Sequence, residues 1–173
     1  MFAEKVDEIQ MVYRCMESFE SDNNDREVKM KISTKGRYAL RLMIYIAANS
    51  NGKPISIKDV AKNEDISDKY LEQIISILNS GGLVRSVRGP QGGYLLRKAP
   101  EDITVGAVLR LTEGTLAPVA CVEEDAPECE REAICSTYNL WKQLYSAICS
   151  VVDTTTIADL CNSRPEAGDE YCI

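Results

Sequence analysis

The chain has 173 residues, 45% of them hydrophobic, with a formal net charge of −7, seven cysteines and no histidine. That length suits one domain with its own core, or a small domain with an appendage; no apolar run can span a bilayer, and the charged N-terminus is no signal peptide. Without histidine, a phosphate-binding glycine loop or a recognisable carboxylate pair, catalysis by this chain is not expected.

Charge divides the chain sharply. Residues 31–98 hold 12 Lys/Arg against 5 Asp/Glu, residues 1–30 hold 4 against 8, and residues 99–173 hold 4 against 14. A basic middle between acidic flanks suits a polyanion on one face, with ordinary surface charge as the plainer explanation. An odd number of cysteines, without disulfide-framework spacing or an export signal, points to reduced thiols, metal ligands or redox groups in a cytoplasmic protein.

Residues 1–29 form an N-terminal extension with two readings. Phe2, Val6, Ile9, Tyr13 and Met16 recur at helical spacing, which fits an amphipathic helix. Alternatively, "REVKM" reverse-translates to a sequence with a ribosome-binding core, GGAGG, five nucleotides before the Met30 codon. The preferred expectation is that the native chain begins at Met30 and that the extension is not part of the fold.

From about Thr34 to Asn49 a helix is expected, with Tyr38, Leu42 and Ile46 on its apolar stripe beside Ala39 and Met43. Ser56 and Asp59 make a capping-box start for a second helix whose inner face is Ile57, Val60 and Ala61. Ser67 is an expected N-cap for a third helix burying Leu71, Ile74, Ile75 and Leu78, and Gly81-Gly82 closes it in the left-handed conformation. "LVRSVR" and "YLLRK" then flank "GPQGG" as a β-hairpin.

Helix, helix, turn, helix and an arginine-tipped hairpin define a winged helix-turn-helix, a mainly α fold with a small β wing. Its third helix leaves Ser67, Lys69, Tyr70, Glu72, Gln73 and Ser76 on a polar side suited to phosphates and base edges in a major groove of double-stranded DNA. Arg88, beside Gly89 at the wing tip, suits a narrow minor groove. A module for binding protein alone is the competing use. Further on, Tyr138, Trp141, Tyr145, Ile148 and Val152 recur at heptad-like spacing on one long helix and offer a dimer seam, or packing within the monomer.

Between hairpin and long helix, "CVEEDAPECEREAICSTYNLW" sets Cys121, Cys129 and Cys135 among six acidic side chains. The spacing is wide for zinc, which takes four closely spaced tetrahedral ligands. The carboxylates disfavour thiolates, so a metal here would be held weakly, as suits a sensor better than a staple. Iron–sulfur chemistry, zinc or another metal, and bare oxidisable thiols all remain open.

The stretches "MKISTKGRYALRLMIYIA", "ISDKYLEQIISIL", "GLVRSVRGPQGGYLL" and "ITVGAVLRLTEG" resemble the bacterial regulators typified by the iron–sulfur cluster regulator IscR and the cysteine-metabolism repressor CymR. The resemblance runs from Met30, where family members normally begin, to about Asn162. It implies a homodimeric transcriptional regulator, a repressor by expectation, bound to near-palindromic operators. Tyr70, Glu72 and Gln73 would lie on the recognition helix and Arg88 and Gly89 on the wing. The implied divisions are a DNA-binding domain at 30–100, a connecting helix and cysteine loop at 101–135, a dimerisation helix region at 136–162 and a flexible tail at 163–173.

Members that sense iron–sulfur status carry three cysteines on this loop, so the resemblance implies that Cys121, Cys129 and Cys135 hold an iron–sulfur cluster, 2Fe–2S by expectation. The fourth ligand is left open. One branch has a histidine where this chain has Tyr138, and another has an aspartate where this chain has Arg37. Glu128, Glu130, Glu132, the Tyr138 phenolate, solvent and Cys149 remain candidates. "PVACVEEDAPE" and "VVDTTTIADL" are similar to the CymR branch, which lacks these cysteines and is governed by cysteine synthase. The C-terminal Ile173 would then dock its carboxylate in that enzyme's cleft; the plainer alternative is a disordered tail whose last residue is incidental.

Overall fold

The computed structural model describes residues 32–127 and 129–163. The N-terminal extension, Glu128 and the tail ending in Ile173 lie outside the described residues.

Helix α1 (Thr34–Asn49) has the bounds that the sequence suggests, and Ser33 caps it by accepting from the Gly36 amide. The Ser33 hydroxyl also donates to Glu113 Oε1 at 2.7 Å, which ties the start of α1 to a later helix. Ala39, Leu42, Met43 and Ile46 are buried as expected, and Tyr38 is half-buried at the margin. Helix α2 (Ile57–Glu64) starts at Ser56, whose Oγ accepts from the Asp59 amide. The return half of the expected capping box is replaced by a bond from the Ser56 hydroxyl to Asp59 Oδ2 at 2.8 Å.

Helix α3 (Asp68–Ser80) buries Leu71, Ile74, Ile75 and Leu78, as its periodicity requires. Ser67 occupies the N-cap position but its side chain makes no capping bond. The left-handed residue after the helix is Gly82 at φ +75°, whereas Gly81 has an ordinary φ of −76°. Gly81 serves a different purpose: a Cβ there would lie 2.3 Å from a Leu111 methyl, so a larger residue would have to displace that side chain.

Strands β1 (Val84–Val87) and β2 (Gly93–Leu96) pair antiparallel, with Val84 opposite Leu96 and Val87 opposite Gly93. The hairpin has an anchor that periodicity does not reveal. Ile55 and Tyr94 exchange both backbone hydrogen bonds, at 3.0 and 2.8 Å. Gly93 permits this approach, since a Cβ there would be 2.3 Å from the Ile55 carbonyl oxygen.

After a 3-10 turn (Pro100–Asp102), helix α4 (Val105–Glu113) packs on α1 and on α3. Two further 3-10 turns (Ala120–Val122 and Glu132–Ile134) lead to helix α5 (Tyr138–Thr154) and a short α6 (Ile157–Asn162). Helix α6 has a complete capping box, Thr156 with Asp159, and returns to the main core, where Ile157 is fully buried. The Ile157 amide bonds the Ile103 carbonyl at 2.8 Å and the Val105 amide bonds that of Thr155 at 2.9 Å, so the chain's last described helix closes the helix-turn-helix core.

Helix α5 buries no residue fully. Its contact with α4 is a second, smaller apolar cluster of Val105, Leu109 and Leu116 with Tyr145, Ile148 and Val152. Of the two uses expected for the heptad-like stripe, packing within the chain holds for these three members, while Leu140 (54% exposed) and Val151 (63%) stand out on another face. A bidentate ion pair fastens the two helices, with Arg110 Nη1 and Nη2 at 2.5 and 2.8 Å from the Asp153 carboxylate. Gly106 makes room for it, because a Cβ there would strike Asp153. Among the described residues, no helix is long and apolar enough to cross a membrane.

Candidate functional site

Two surfaces hold the residues singled out by sequence. On α3, Lys69, Glu72, Gln73 and Ser76 are exposed along one side, with Ser67 exposed at the N-cap. That is the result expected when the opposite side carries Leu71, Ile74, Ile75 and Leu78 into the core. Tyr70 differs. It is half-buried, with its ring edge-on to Tyr38 at 5.9 Å and 79°, and the Arg41 guanidinium lies 5.4 Å from the Tyr38 centroid. Arg41 is in turn held by Glu64, a buried carboxylate, through a 2.8 Å ion pair. Sequence spacing did not flag Glu64, although Arg41 and Glu64 both follow the inner faces of their helices by one turn. Tyr70 is thus a positioned ring with a polar tip rather than a free surface side chain.

The hairpin carries Arg88 and Gly89 at its exposed end. Gly89 has φ +131°, a region that side chains rarely adopt, and its carbonyl accepts from the Gly92 amide at 2.9 Å. This closes the tip so that the Arg88 side chain leaves the body of the protein. The polar side of α3 and this tip supply hydroxyl, amide, carboxylate and guanidinium groups of the kinds that read grooves and phosphates.

The second surface is the cysteine loop. It roofs a cavity of about 430 Å³ against α5, lined by Cys121, Cys129, Glu132, Tyr138, Lys142 and Cys149 among others. Cys121 and Cys129 are half-buried, as is Cys135 beside them. Burial, and then the neighbouring Cys129 and Cys135, push the Cys121 thiol above the ordinary cysteine range. The Cys135 thiol is lowered, chiefly by its hydrogen bond with the Thr137 hydroxyl, which lies 3.5 Å away. Desolvation raises the Tyr138 phenol, followed by the Glu132 carboxylate and the fields of Cys121 and Cys129. Lys142 Nζ sits 5.5 Å from the Tyr138 ring centroid.

The three predicted thiols are thus brought to one place, although they are separated by up to fourteen positions in the chain. Among the described residues, no three His, Cys, Asp or Glu side chains converge tightly enough to hold a metal ion in this arrangement. The donor set nonetheless fits an iron–sulfur group in kind, with thiols and flanking oxygen donors around a partly desolvated cavity. Sequence reading did not include Lys142, Tyr145 or Ser146 in the site. Helical spacing from Tyr138 through Lys142 and Tyr145 to Cys149 could have found them. Cys149 sits at the far end, its Sγ 3.6 Å from Arg110 Nη2.

A winged helix-turn-helix with an arginine-tipped wing, joined to a thiol-bearing loop and a long helix, defines a class of transcriptional regulators. The chain belongs to the Rrf2 family, whose profile, described as an iron-dependent transcriptional regulator, matches residues 32–163. It is 42% identical over 142 residues to the HTH-type transcriptional regulator CymR of Bacillus subtilis, covering 82% of this chain and 97% of that protein. It is 38% identical over 135 residues to the HTH-type transcriptional regulator IscR of Erwinia tasmaniensis, covering 78% and 81%. The solved structure of CymR, the global cysteine regulator of B. subtilis, superposes with a TM-score of 0.64 at 42% identity, covering 78% of this chain and 98% of that one. The resemblance to the IscR and CymR regulators and the fold class both hold, and the chain is a transcriptional regulator rather than an enzyme.

Proposed function

We propose that this regulator binds near-palindromic DNA as a homodimer and senses iron–sulfur status through Cys121, Cys129 and Cys135. The observation that carries the sensing half is that Cys121 and Cys129 line one cavity against α5, with Cys135 near enough to act electrostatically on the Cys121 thiol. Bound there, a cluster would supply a centre that responds to iron supply and oxidants.

The chain's own residues give the site a route to the DNA surface. The loop rests on α5, α5 is clamped to α4 by Arg110 and Asp153, and α4 packs on α1 and on α3. Leu111 of α4 fills the space left by Gly81 at the end of α3. A shift of the loop would therefore press on the helix that carries Gln73. On the DNA side, Lys69, Gln73 and Ser76 are proposed to meet one major groove, with Ser67, Tyr70 and Glu72 at its edge, and Arg88 and Gly89 the adjacent minor groove. Two such helices would enter grooves about 34 Å apart. The exposed Leu140 and Val151 face of α5 is the proposed contact between protomers.

The test is anaerobic purification followed by a visible spectrum and iron and sulfide analysis, with operator binding measured before and after air exposure. Wild type should carry iron and sulfide, and the triple alanine variant at Cys121, Cys129 and Cys135 should carry neither. Iron and sulfide retained by the triple variant would refute the assignment.

A second reading draws on the 42% identity to CymR. In it the chain is a cluster-free repressor of cysteine metabolism, controlled by cysteine synthase through Ile173 or by thiol oxidation. Calorimetry of cysteine synthase with the full chain and with a chain lacking Ile173 decides it. Equal heats, or none with either, would end the docking proposal.

A further inference from the structure

Helix α3 begins without the local fastening that α1, α2, α4 and α6 have. Ser33, Ser56, Thr104 and Thr156 each accept a backbone amide at the start of those helices, whereas the Ser67 side chain caps nothing. Placing the first turn of α3, which carries Tyr70, therefore falls to contacts from elsewhere. They come from α1, where Tyr38 and Arg41 are three residues apart and share a face.

Arg41 Nε donates to Glu64 Oε2 at 2.8 Å, and Nη2 donates to the Glu64 carbonyl. One guanidinium thus holds both the side chain and the backbone of the last residue of α2. The Glu64 side chain is only 10% exposed. Asp65 follows in the left-handed conformation at φ 53°, and the Ile66 amide returns to the Ala61 carbonyl at 3.2 Å, closing the turn between α2 and α3. The same guanidinium lies 5.4 Å from the Tyr38 ring centroid, and Tyr38 meets Tyr70 edge-on at 5.9 Å.

We propose that Arg41 is a positioning residue for DNA recognition. By holding Glu64 and Tyr38 it fixes the turn before α3 and the Tyr70 ring, so that the Tyr70 hydroxyl meets a phosphate at the groove edge in a preset orientation. The proposal rests on the reading of α3 as the helix that enters the major groove. Arg41 itself touches no DNA: its Nε and Nη2 are both engaged by Glu64, and its charge is matched by a carboxylate that the core shields from solvent. A ring ordered before binding loses less freedom on the DNA. Lysine cannot replace Arg41, because a single ammonium cannot serve a carboxylate, a carbonyl and a ring face as a planar fork does. The plainer use of the pair is folding stability alone, which would lower DNA binding only through the unfolded fraction.

The probe is the duplex that wild-type protein selects from a randomised pool. Its affinity and salt dependence are read by fluorescence anisotropy for full-length variants, and circular dichroism gives each folded fraction. The double variant Arg41→Met, Glu64→Gln removes both charges together, so no buried carboxylate is left unpaired. Tyr70→Phe should weaken binding about tenfold, as loss of a hydrogen bond to a charged group does. The double variant and Arg41→Lys should each approach that loss, with the slope of log K against log salt unchanged. Tyr70→Phe added to the double variant should cost less than about twofold more, since Arg41 acts through Tyr70. Tyr38→Leu should behave like the double variant, and Tyr38→Phe, which keeps the ring, should match wild type.

Additive losses from Tyr70→Phe and the double variant would overturn the proposal, as would wild-type binding by Tyr70→Phe. A slope shallower by about 1.8 in the double variant, restored in Arg41→Lys, would show instead that Arg41 places its own cation on a phosphate in each protomer. Losses that vanish once the folded fraction is taken into account would reduce the pair to stability alone and overturn the proposal equally. A wild-type protein that selects no duplex would sink the underlying DNA reading, whereas selection with additive losses sinks only the role of Arg41.

Discussion

Arg88→Ala offers a quantitative test of the wing. The side chain is exposed at a tip whose shape is set by backbone, namely Gly89 at φ +131° and the Gly92 to Gly89 bond. The strands below are held by their own pairing and by the Ile55–Tyr94 exchange, so the substitution should leave thermal stability unchanged. Its effect should fall on DNA alone. Each phosphate neutralised contributes about −0.9 to the slope of log K against log salt, and a dimer loses two such cations, so the slope should become shallower by about 1.8. The same two contacts amount to roughly 60-fold in affinity at about 0.1 M salt. Fluorescence anisotropy with a labelled operator, titrated from about 50 to 300 mM potassium chloride, reads both quantities. An unchanged slope with intact folding would show that the wing places no cation on the DNA.

Other substitutions probe the scaffold. Ile157→Ala empties a fully buried site between α6 and the helix-turn-helix core, and should cost about 2–5 kcal/mol by urea denaturation. A loss below about 0.5 kcal/mol would mean that α6 is not part of that core. Gly81→Ala should cost about 1–3 kcal/mol by overpacking against Leu111. Pairing it with Leu111→Ala should recover part of the loss, giving a coupling of roughly 0.5 kcal/mol or more in the double-mutant cycle, and strict additivity would exclude the contact. The hydrogen bond from Arg110 holds the Asp153 carboxyl below the usual range. A depressed folded-state pKa adds stability above the unfolded value of about 3.9, and that stability is lost as pH falls through the folded value. Asp153→Asn should therefore flatten the acid limb of a stability profile and remove part of its salt sensitivity. An identical acid limb in both proteins would contradict the pairing.

Much of the helix-turn-helix was legible because periodicity and caps are local. Thr34–Asn49 has the bounds that its stripe suggested, and every residue expected on the inner face of α3 is buried. The polar side of α3 followed automatically, since a helix that commits one face to the core must present the other. The hairpin followed from "GPQGG" between two apolar runs. The three cysteines were legible as a group only through their likeness to a known family, because their spacing alone matched no metal motif.

What local pattern could not decide were the contacts between segments far apart in the chain. Ser67 and Gly81 were read as capping residues, yet Ser67 makes no side-chain cap and Gly81 serves the approach of Leu111. The stripe on α5 was read as a dimer seam or as packing within the monomer, and α4 decides for three of its members by taking Tyr145, Ile148 and Val152, leaving Leu140 and Val151 outside. An amphipathic helix specifies that a face must be covered and not what covers it. The pairing of Arg41 with Glu64 and of Arg110 with Asp153 likewise depends on how helices lie together. The thiol cavity is the same case: sequence supplied the donors, and only the folding of the loop against α5 put Glu132 and Tyr138 beside Cys121 and Cys129.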